Sequence, residues 1–276
     1  MLRSSFKKLV IQSKSCLPSS VTFKKMGADC ESGEAQAEEH SKRPLRVSIE
    51  GNIGCGKSTL INYFKKFSEV DSRPEPLDSW KNVQGHNLLM LTYAEPQRWN
   101  FTFQHYVQLS RLSLQVLESE HKIQIFERSL QNNRYCFVEM AHKAGLLADP
   151  DYVAMCEWYD WIENNLDIGL DLIVYLRSDP VVVYERMQRR GRPEESPVSL
   201  QYLTDLHNSY ERWLVDCDPS SLPAPVLVVD VNNDLPTVQA MYKTVEQYIL
   251  GRKALPNTGY VKEFGWGIDR IEEVTC

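Results

Sequence analysis

Gly51-Asn52-Ile53-Gly54-Cys55-Gly56-Lys57-Ser58, followed by Thr59, has the residue types and spacing of a phosphate-binding loop, G-x-x-x-x-G-K-[ST]. Backbone N–H groups of such a loop cradle phosphate oxygens, and the helix it opens adds the positive end of its dipole. Lys57 is placed to reach the β- and γ-phosphates, and Ser58 to ligate Mg²⁺. Residues 45–50 read as a buried strand and 59–67 as a helix, the context that separates this motif from a chance glycine loop. Cys55 is expected to turn its small side chain away from the phosphates. The loop implies a bound nucleotide and leaves open what happens to its phosphate.

Three further clusters fall where strands should end. Glu75 lies between Pro74 and Pro76, so its backbone is held rigid. A fixed carboxylate there is placed to take a proton from an alcohol, although the same residue could be a turn glutamate on the surface. Phe126-Glu127-Arg128-Ser129 closes the strand Ile123–Glu127. Glu127 could hold Mg²⁺ or its waters, and Arg128 could serve substrate or phosphate; a structural ion pair is the plainer reading. Arg186, Arg189, Arg190 and Arg192 surround the helix-breaking Gly191 and Pro193. They read as a mobile arginine-rich lid, since phosphoryl transfer needs positive charge and excluded water; a solvated charge run is the alternative.

These groups need elements that bring them together. Apolar runs at 45–50, Ile123–Glu127, 172–176 and 226–231 read as strands buried on both faces, as in a parallel sheet covered by helices. Phe103, Val107, Ser110, Leu114 and Leu117 repeat at helical spacing and predict a stripe facing a core. Further helices are expected over 150–166, Leu200–Leu214 and 239–250. The fold class is α/β with a central parallel sheet, which binds ligands at the C-terminal ends of its strands.

The chain has 276 residues, 42% of them hydrophobic, and a net charge of −6, which argues against a general nucleic-acid-binding role. No apolar run approaches a membrane span. Seven scattered cysteines suggest free thiols in a reducing compartment. Residues 1–28 hold six Lys/Arg, six serines and no Asp or Glu, and Leu2, Phe6, Leu9 and Val10 could share a helical face. That composition suits a mitochondrial transit peptide, with a plain basic tail as the alternative. Residues 29–43 read as an acidic linker, 44–250 as the catalytic domain and 251–276 as a loosely ordered tail. A start at Met26 would leave a cytosolic form without the leader.

Beyond the loop, the motifs Glu75-Pro-Leu-Asp-Ser-Trp80, Gly85-His-Asn-Leu-Leu89, Glu127-Arg-Ser129, Arg134-Tyr-Cys-Phe137, the Glu157-Trp-Tyr-Asp-Trp161 block and Arg190-Gly-Arg-Pro-Glu-Glu195 follow in order. Together they resemble the deoxyribonucleoside kinases, the group of thymidine kinase 2, deoxycytidine kinase, deoxyguanosine kinase and the insect deoxynucleoside kinase. The resemblance runs from about Pro44 to Leu250. The short connection from Trp80 to Tyr93 and the Asp160-Trp161 pair look most like the thymidine kinase 2 and insect branch.

The resemblance implies a P-loop kinase fold and transfer of the ATP γ-phosphoryl group, with Mg²⁺, to the 5′-hydroxyl of a 2′-deoxynucleoside. It implies Glu75 as general base with Arg128 beside it, Trp80 and Phe137 around the base, and Gln104 on the base edge. Tyr93 and Glu195 would hold the sugar 3′-hydroxyl, and Ile53 would pack at the pocket wall. Lys57, Ser58, Glu127, Arg190 and Arg192 would serve phosphates and Mg²⁺, and the chain would be a homodimer through helices beside the pocket. A catalytically inactive subunit of a mitochondrial complex should have lost Lys57, Glu75 or the lid arginines. A nucleoside monophosphate kinase fits poorly with Glu75 beside a phosphorylated acceptor.

Two departures from the pattern concern the pocket floor. Arg111 lies seven residues after Gln104, hence about 10.5 Å along the same helix face, with Val107 between them. The thymidine-accepting branch tends to be apolar there, and the deoxycytidine and deoxyguanosine branch carries an arginine that meets an aspartate. The matching position here is Asn133, and Thr92 stands where methionine is common. Asn133 offers one neutral oxygen, so Arg111 is expected to be mobile or to engage Gln104 or the base; alternatively it faces solvent. Pyrimidine preference with some purine use is the expectation.

Overall fold

The computed structural model describes residues 43–254 and the strand 261–264. The basic leader and nearly all of the acidic linker lie outside the described residues. Arg43, placed in the linker by composition, instead forms a bidentate pair with Asp171 at 2.7 and 2.8 Å.

In chain order the elements are β1 (Leu45–Gly51), α1 (Lys57–Phe64), β2 (Val70–Arg73), α2 (Leu77–Lys81), α3 (Leu88–Ala94), α4 (Pro96–Gln115) and β3 (Ile123–Glu127). A continuous helical run follows: α5 (Leu130–Asn132), a π-helical stretch (Asn133–Val138) and α6 (Glu139–Lys143). Then come α7 (Asp149–Asn165), β4 (Leu172–Arg177), α8 (Pro180–Arg190), α9 (Leu200–Leu214), β5 (Val226–Asp230), α10 (Leu235–Ile249) and β6 (Val261–Phe264).

The six strands form one parallel sheet in the order β2-β3-β1-β4-β5-β6. Side chains alternate faces along a strand, so both faces must be covered. In β4, Leu172, Val174 and Leu176 pack with Leu60, Phe64, Val183 and Tyr242 of α1, α8 and α10. Ile173 and Tyr175 pack on the other side with Leu206, Tyr210 and Trp213 of α9. This explains why the strand sequences are apolar without a break. The connection leaving β1 runs toward β2 and the one leaving its neighbour β3 runs the opposite way toward β4, so a crevice forms at the C-terminal ends of β1 and β3.

Two expectations need correction. The predicted stripe holds at Phe103 and Val107, which are buried, and fades through the half-buried Ser110 and Leu114; the buried face also takes in Asn100, Gln104, Gln108, Arg111 and Gln115, while Leu117 lies beyond the helix and is exposed. That helix packs against a partly polar interior, so hydrophobic periodicity finds its apolar half and misses the polar residues beside it. The segment after 250 includes β6, which pairs in parallel with β5; a four-residue strand held by its neighbour leaves little local signal.

Candidate active site

Leu45–Gly51 delivers the phosphate loop to the C-terminal end of a central strand, and the loop closes where only glycine fits. A Cβ on Gly51 (φ +139°) would lie 2.7 Å from the Leu176 carbonyl oxygen, and one on Gly54 (φ +82°) 2.8 Å from that of Val183. Cys55 is buried in the core behind the loop, as expected. Asn52 anchors the loop by donating to the Leu203 carbonyl at 2.8 Å. Lys57 Nζ donates to the Asn52 carbonyl at 2.7 Å. Burial pulls the Lys57 pKa down, with Arg128 adding to it and Cys55, Glu127 and Glu75 opposing.

Ser58 Oγ donates to Glu127 Oε1 at 2.7 Å. This pair sets a hydroxyl and a carboxylate side by side at the mouth of the loop. Both are hard oxygen donors, and Mg²⁺ in phosphoryl-transfer sites commonly takes one or two such ligands plus substrate phosphates, so the residues fit that ion.

Beyond β2, Pro74-Glu75-Pro76 carries Glu75 inward. Its carboxylate receives Arg128 Nη1 at 2.9 and 3.1 Å and Arg111 Nη2 at 2.6 Å. Burial raises the Glu75 pKa, but Arg128, Arg111 and Lys57 outweigh it and hold the group at about 2. Glu75 is therefore ionised, not a surface turn residue. Arg128 follows β3 in a left-handed backbone conformation, φ 61°, rare for a side chain of its size and the kind of strain that concentrates at functional sites. Its guanidinium also meets the Gly51 carbonyl and the Tyr210 hydroxyl, each at 3.1 Å. Phosphate loop and carboxylate are thus joined through one side chain.

Trp80 and Phe137 line the same cavity, of about 430 Å³, together with Ile53, Thr92, Tyr93, Gln104, Val107, Arg186, Arg190, Arg192 and Glu195. The Trp80 ring is fixed by a bond from Nε1 to Ser110 Oγ at 2.8 Å and an edge contact with Phe103. Its face and that of Phe137 lie 5.6 and 5.7 Å from the Arg111 guanidinium carbon.

The pairing expected at the pocket floor is not the one observed. Arg111 is 4% exposed, so it does not face solvent, and it is neither free nor bound to Asn133. It pairs with Glu75, and its Nη1 donates to Asn132 Oδ1 at 2.9 Å and the Ser129 carbonyl at 3.1 Å. Asn133 instead donates from Nδ2 to Gln104 Oε1 at 2.7 Å. Adjacent helical residues point about 100° apart, so the two asparagines meet different turns of α4. Asn132 also donates to Tyr210 at 2.9 Å, completing a link from Arg111 to Arg128 that sequence reasoning missed.

In the arginine-rich segment read as a lid from the sequence, α8 stops at Gly191 and a short turn, Pro193–Glu195, follows. Arg190 holds Glu195 with two bonds at 2.6 and 2.7 Å, and Arg192 approaches it at 3.4 Å. Glu194 reaches Lys81 at 3.0 Å, tying this turn to the helix that carries Trp80. Tyr93 packs edge-on to Tyr202. Burial first, then Tyr202 and Glu195, push its pKa well up, so it stays a protonated hydroxyl. Arg186 differs from its neighbours: it donates to the carbonyls of Val231 and Asn233 at 2.8 and 2.7 Å.

A sequence model of the family described as deoxynucleoside kinase matches residues 47–250. The chain is 36% identical to "Thymidine kinase 2, mitochondrial" of Homo sapiens, across 77% of this chain and 80% of that protein. It is 39% identical to "Deoxycytidine kinase 2" of Gallus gallus, across 70% and 84%. It is 34% identical to deoxycytidine kinase of Homo sapiens, across 74% and 90%. A phosphate loop facing an ionised, arginine-clamped carboxylate over an aromatic slot, on a P-loop kinase sheet, accords with these matches, and the chain belongs to the deoxynucleoside kinase family.

Proposed function

We propose that the chain transfers the γ-phosphoryl group of ATP to the 5′-hydroxyl of 2′-deoxynucleosides, with pyrimidines preferred, as a salvage enzyme. One observation carries this reading: Glu75, ionised and buried, is bonded to Arg128, which is itself bonded to the phosphate loop. An acceptor hydroxyl placed at Glu75 therefore lies next to the nucleotide's phosphates.

Glu75 accepts the hydroxyl hydrogen and orients the oxygen; with a pKa of about 2 it takes the proton late, as suits a loose phosphoryl-transfer transition state. Trp80 and Phe137 stack on the base, and aromatic faces suit a flat ring. Gln104, its amide turned by Asn133, reads the base edge. Tyr93 donates to the sugar 3′-hydroxyl while Glu195 accepts from it. Lys57, Arg190 and Arg192 gather around the phosphates, releasing part of the Glu195 contact as the lid closes and water leaves. Ser58 and Glu127 would hold Mg²⁺, which would neutralise charge developing on the oxygens of the phosphoryl group that ATP donates.

We further propose a homodimer and a mitochondrial location. The outer faces of α4 and α7 expose Leu109, Val153, Trp158 and Trp161. Such a patch is the signature of a contact surface. The transit-peptide composition of residues 1–28 and the similarity to relatives named mitochondrial support the location. No helix among the described residues is long and apolar enough to cross a membrane.

The test is a steady-state comparison with Mg²⁺–ATP of thymidine, deoxycytidine, deoxyadenosine, deoxyguanosine and thymidine monophosphate. Phosphorus NMR should show 5′-monophosphates, fastest from the two pyrimidines. Turnover of thymidine monophosphate alone would identify a monophosphate kinase, and no turnover an inactive relative.

A further inference from the structure

The cavity does not end at Gln104. Along α4 its wall runs Arg111, Gln104, Asn100, Pro96. By helix rise, Asn100 lies about 6 Å beyond Gln104 on the side away from Glu75. The opposite wall is the helical run after β3, whose Phe137 is followed by Met140, Ala141 and Ala144. The bond from Asn133 to Gln104 marks the level of the base edge, and the slot continues past it. Ala144 is exposed and Leu146 half-buried, so the slot reaches the surface there.

The walls of this extension are small or apolar, with one exception. Asn100 is 5% exposed, and its Oδ1 has no hydrogen-bond partner. A buried polar atom left unpaired is costly and calls for an explanation. A bare pyrimidine held between Trp80 and Phe137, with its edge on Gln104, leaves this extension empty.

On the reading of the site as a deoxynucleoside kinase, we propose that the extension is a subsite for a substituent on the exocyclic nitrogen of the base. The chain accepts 2′-deoxynucleosides carrying a short N-alkyl group with a terminal hydroxyl. The chain of the substituent passes Gln104 between Asn100 and Ala141, its hydroxyl donates to Asn100, and anything longer emerges beside Ala144. Asn100 is then a specificity residue, one helical turn from the amide that reads the base itself.

Two nearly isosteric substrates test this: N4-(2-hydroxyethyl)-2′-deoxycytidine and N4-propyl-2′-deoxycytidine, with 2′-deoxycytidine as reference. The full chain should use the hydroxyethyl compound within about 10-fold of the reference in kcat/KM, and better than the propyl compound by ~10-fold, the scale of one well-placed pocket group. Asn100→Leu, close to isosteric, should invert the hydroxyethyl-to-propyl ratio. Ala144→Leu, at the exposed end of α6, should lower both derivatives relative to the reference. Calorimetric binding of the three nucleosides gives the same ratios without turnover. Phosphorylation of 2′-deoxycytidine with rejection of both derivatives overturns the subsite and leaves the kinase reading standing, as does a ratio unmoved by Asn100→Leu. A chain that neither binds nor phosphorylates any of the three overturns both.

Discussion

Arg111 Nη2 lies 2.6 Å from Glu75 Oε1, so the floor of the aromatic slot and the buried carboxylate facing the phosphate loop share one ion pair. Both side chains are almost fully buried. On the proposed function, base selection and chemistry are coupled, because whatever displaces Arg111 also removes a charge that holds Glu75 ionised. Arg111→Met removes one of the two guanidinium groups bonded to the carboxylate. Glu75 sits at about 2 against an ordinary value of 4.5, so its ionised form is favoured by folding. The stability this contributes is complete above the ordinary value and is lost as pH falls toward 2. In the Arg111→Met variant the Glu75 pKa moves back up, and the acid limb of kcat/KM against pH should rise toward the ordinary carboxylate range. The same variant opens an apolar floor and should shift the thymidine-to-deoxycytidine kcat/KM ratio toward thymidine. Adding Asn133→Ala should loosen Gln104 rather than extend that shift, because Asn133 serves Gln104. An unmoved acid limb would separate Arg111 from the chemistry.

Glu75→Gln keeps the shape and removes the charge. The expected loss in kcat is ~10²–10⁴-fold, with nucleoside affinity by calorimetry little changed. Removing the charged partner of Arg111 and Arg128 should also destabilise the fold, on the order of 3–5 kcal/mol for breaking a buried pair, read as a lower Tm. An unchanged kcat measured well below that Tm would remove Glu75 from the mechanism.

The strands announce themselves because a doubly covered sheet needs apolar residues on both faces, and the phosphate loop because backbone closure demands its glycines. The polar interior is less legible. By hydrophobic periodicity alone Gln108 and Gln115 fall among the surface residues of an amphipathic helix, yet both are buried. Asn132 and Asn133 are chemically identical neighbours, and only the helical run that starts at Leu130 decides which meets Arg111. The left-handed backbone of Arg128 has no sequence signal, since arginine is a poor residue for it.

Arg190 should act on turnover more than on nucleoside binding. It is bonded to Glu195 here and sits on the lid beside the phosphate loop's cavity. Arg190→Ala removes a cation from the transferred phosphoryl group and a partner from Glu195. Loss of one preorganised donor predicts a fall of ~10²–10³-fold in kcat, with the nucleoside KM changed far less. A variant that instead raises the nucleoside KM at constant kcat would place Arg190 in sugar binding through Glu195.

The leader carries a prediction that the folded domain cannot test. Residues 1–45 fused to a fluorescent protein should direct it to mitochondria, whereas a chain begun at Met26 should stay outside. Diffuse signal from both fusions would favour a plain basic tail.

The outer faces of α4 and α7 carry the last prediction. His105 stacks on Trp158 with ring centroids 6.4 Å apart, and Trp158 on Trp161 at 5.5 Å, with both tryptophans about half exposed. Large aromatic rings ordered into a stack at an exposed surface favour burial against a partner, since each exposed ring forfeits the stabilisation of removing apolar area from water. A second copy of the chain is the natural partner, because a two-fold contact pairs one patch with itself. Sedimentation should therefore give a dimer for the full chain and a monomer for Trp161→Glu with Leu109→Glu. Since α4 also carries Gln104 and Arg111 on its opposite face, the monomer should show a raised KM for nucleoside. A full chain that sediments as a monomer at all accessible concentrations would refute the dimer and leave the aromatic stack as surface packing alone.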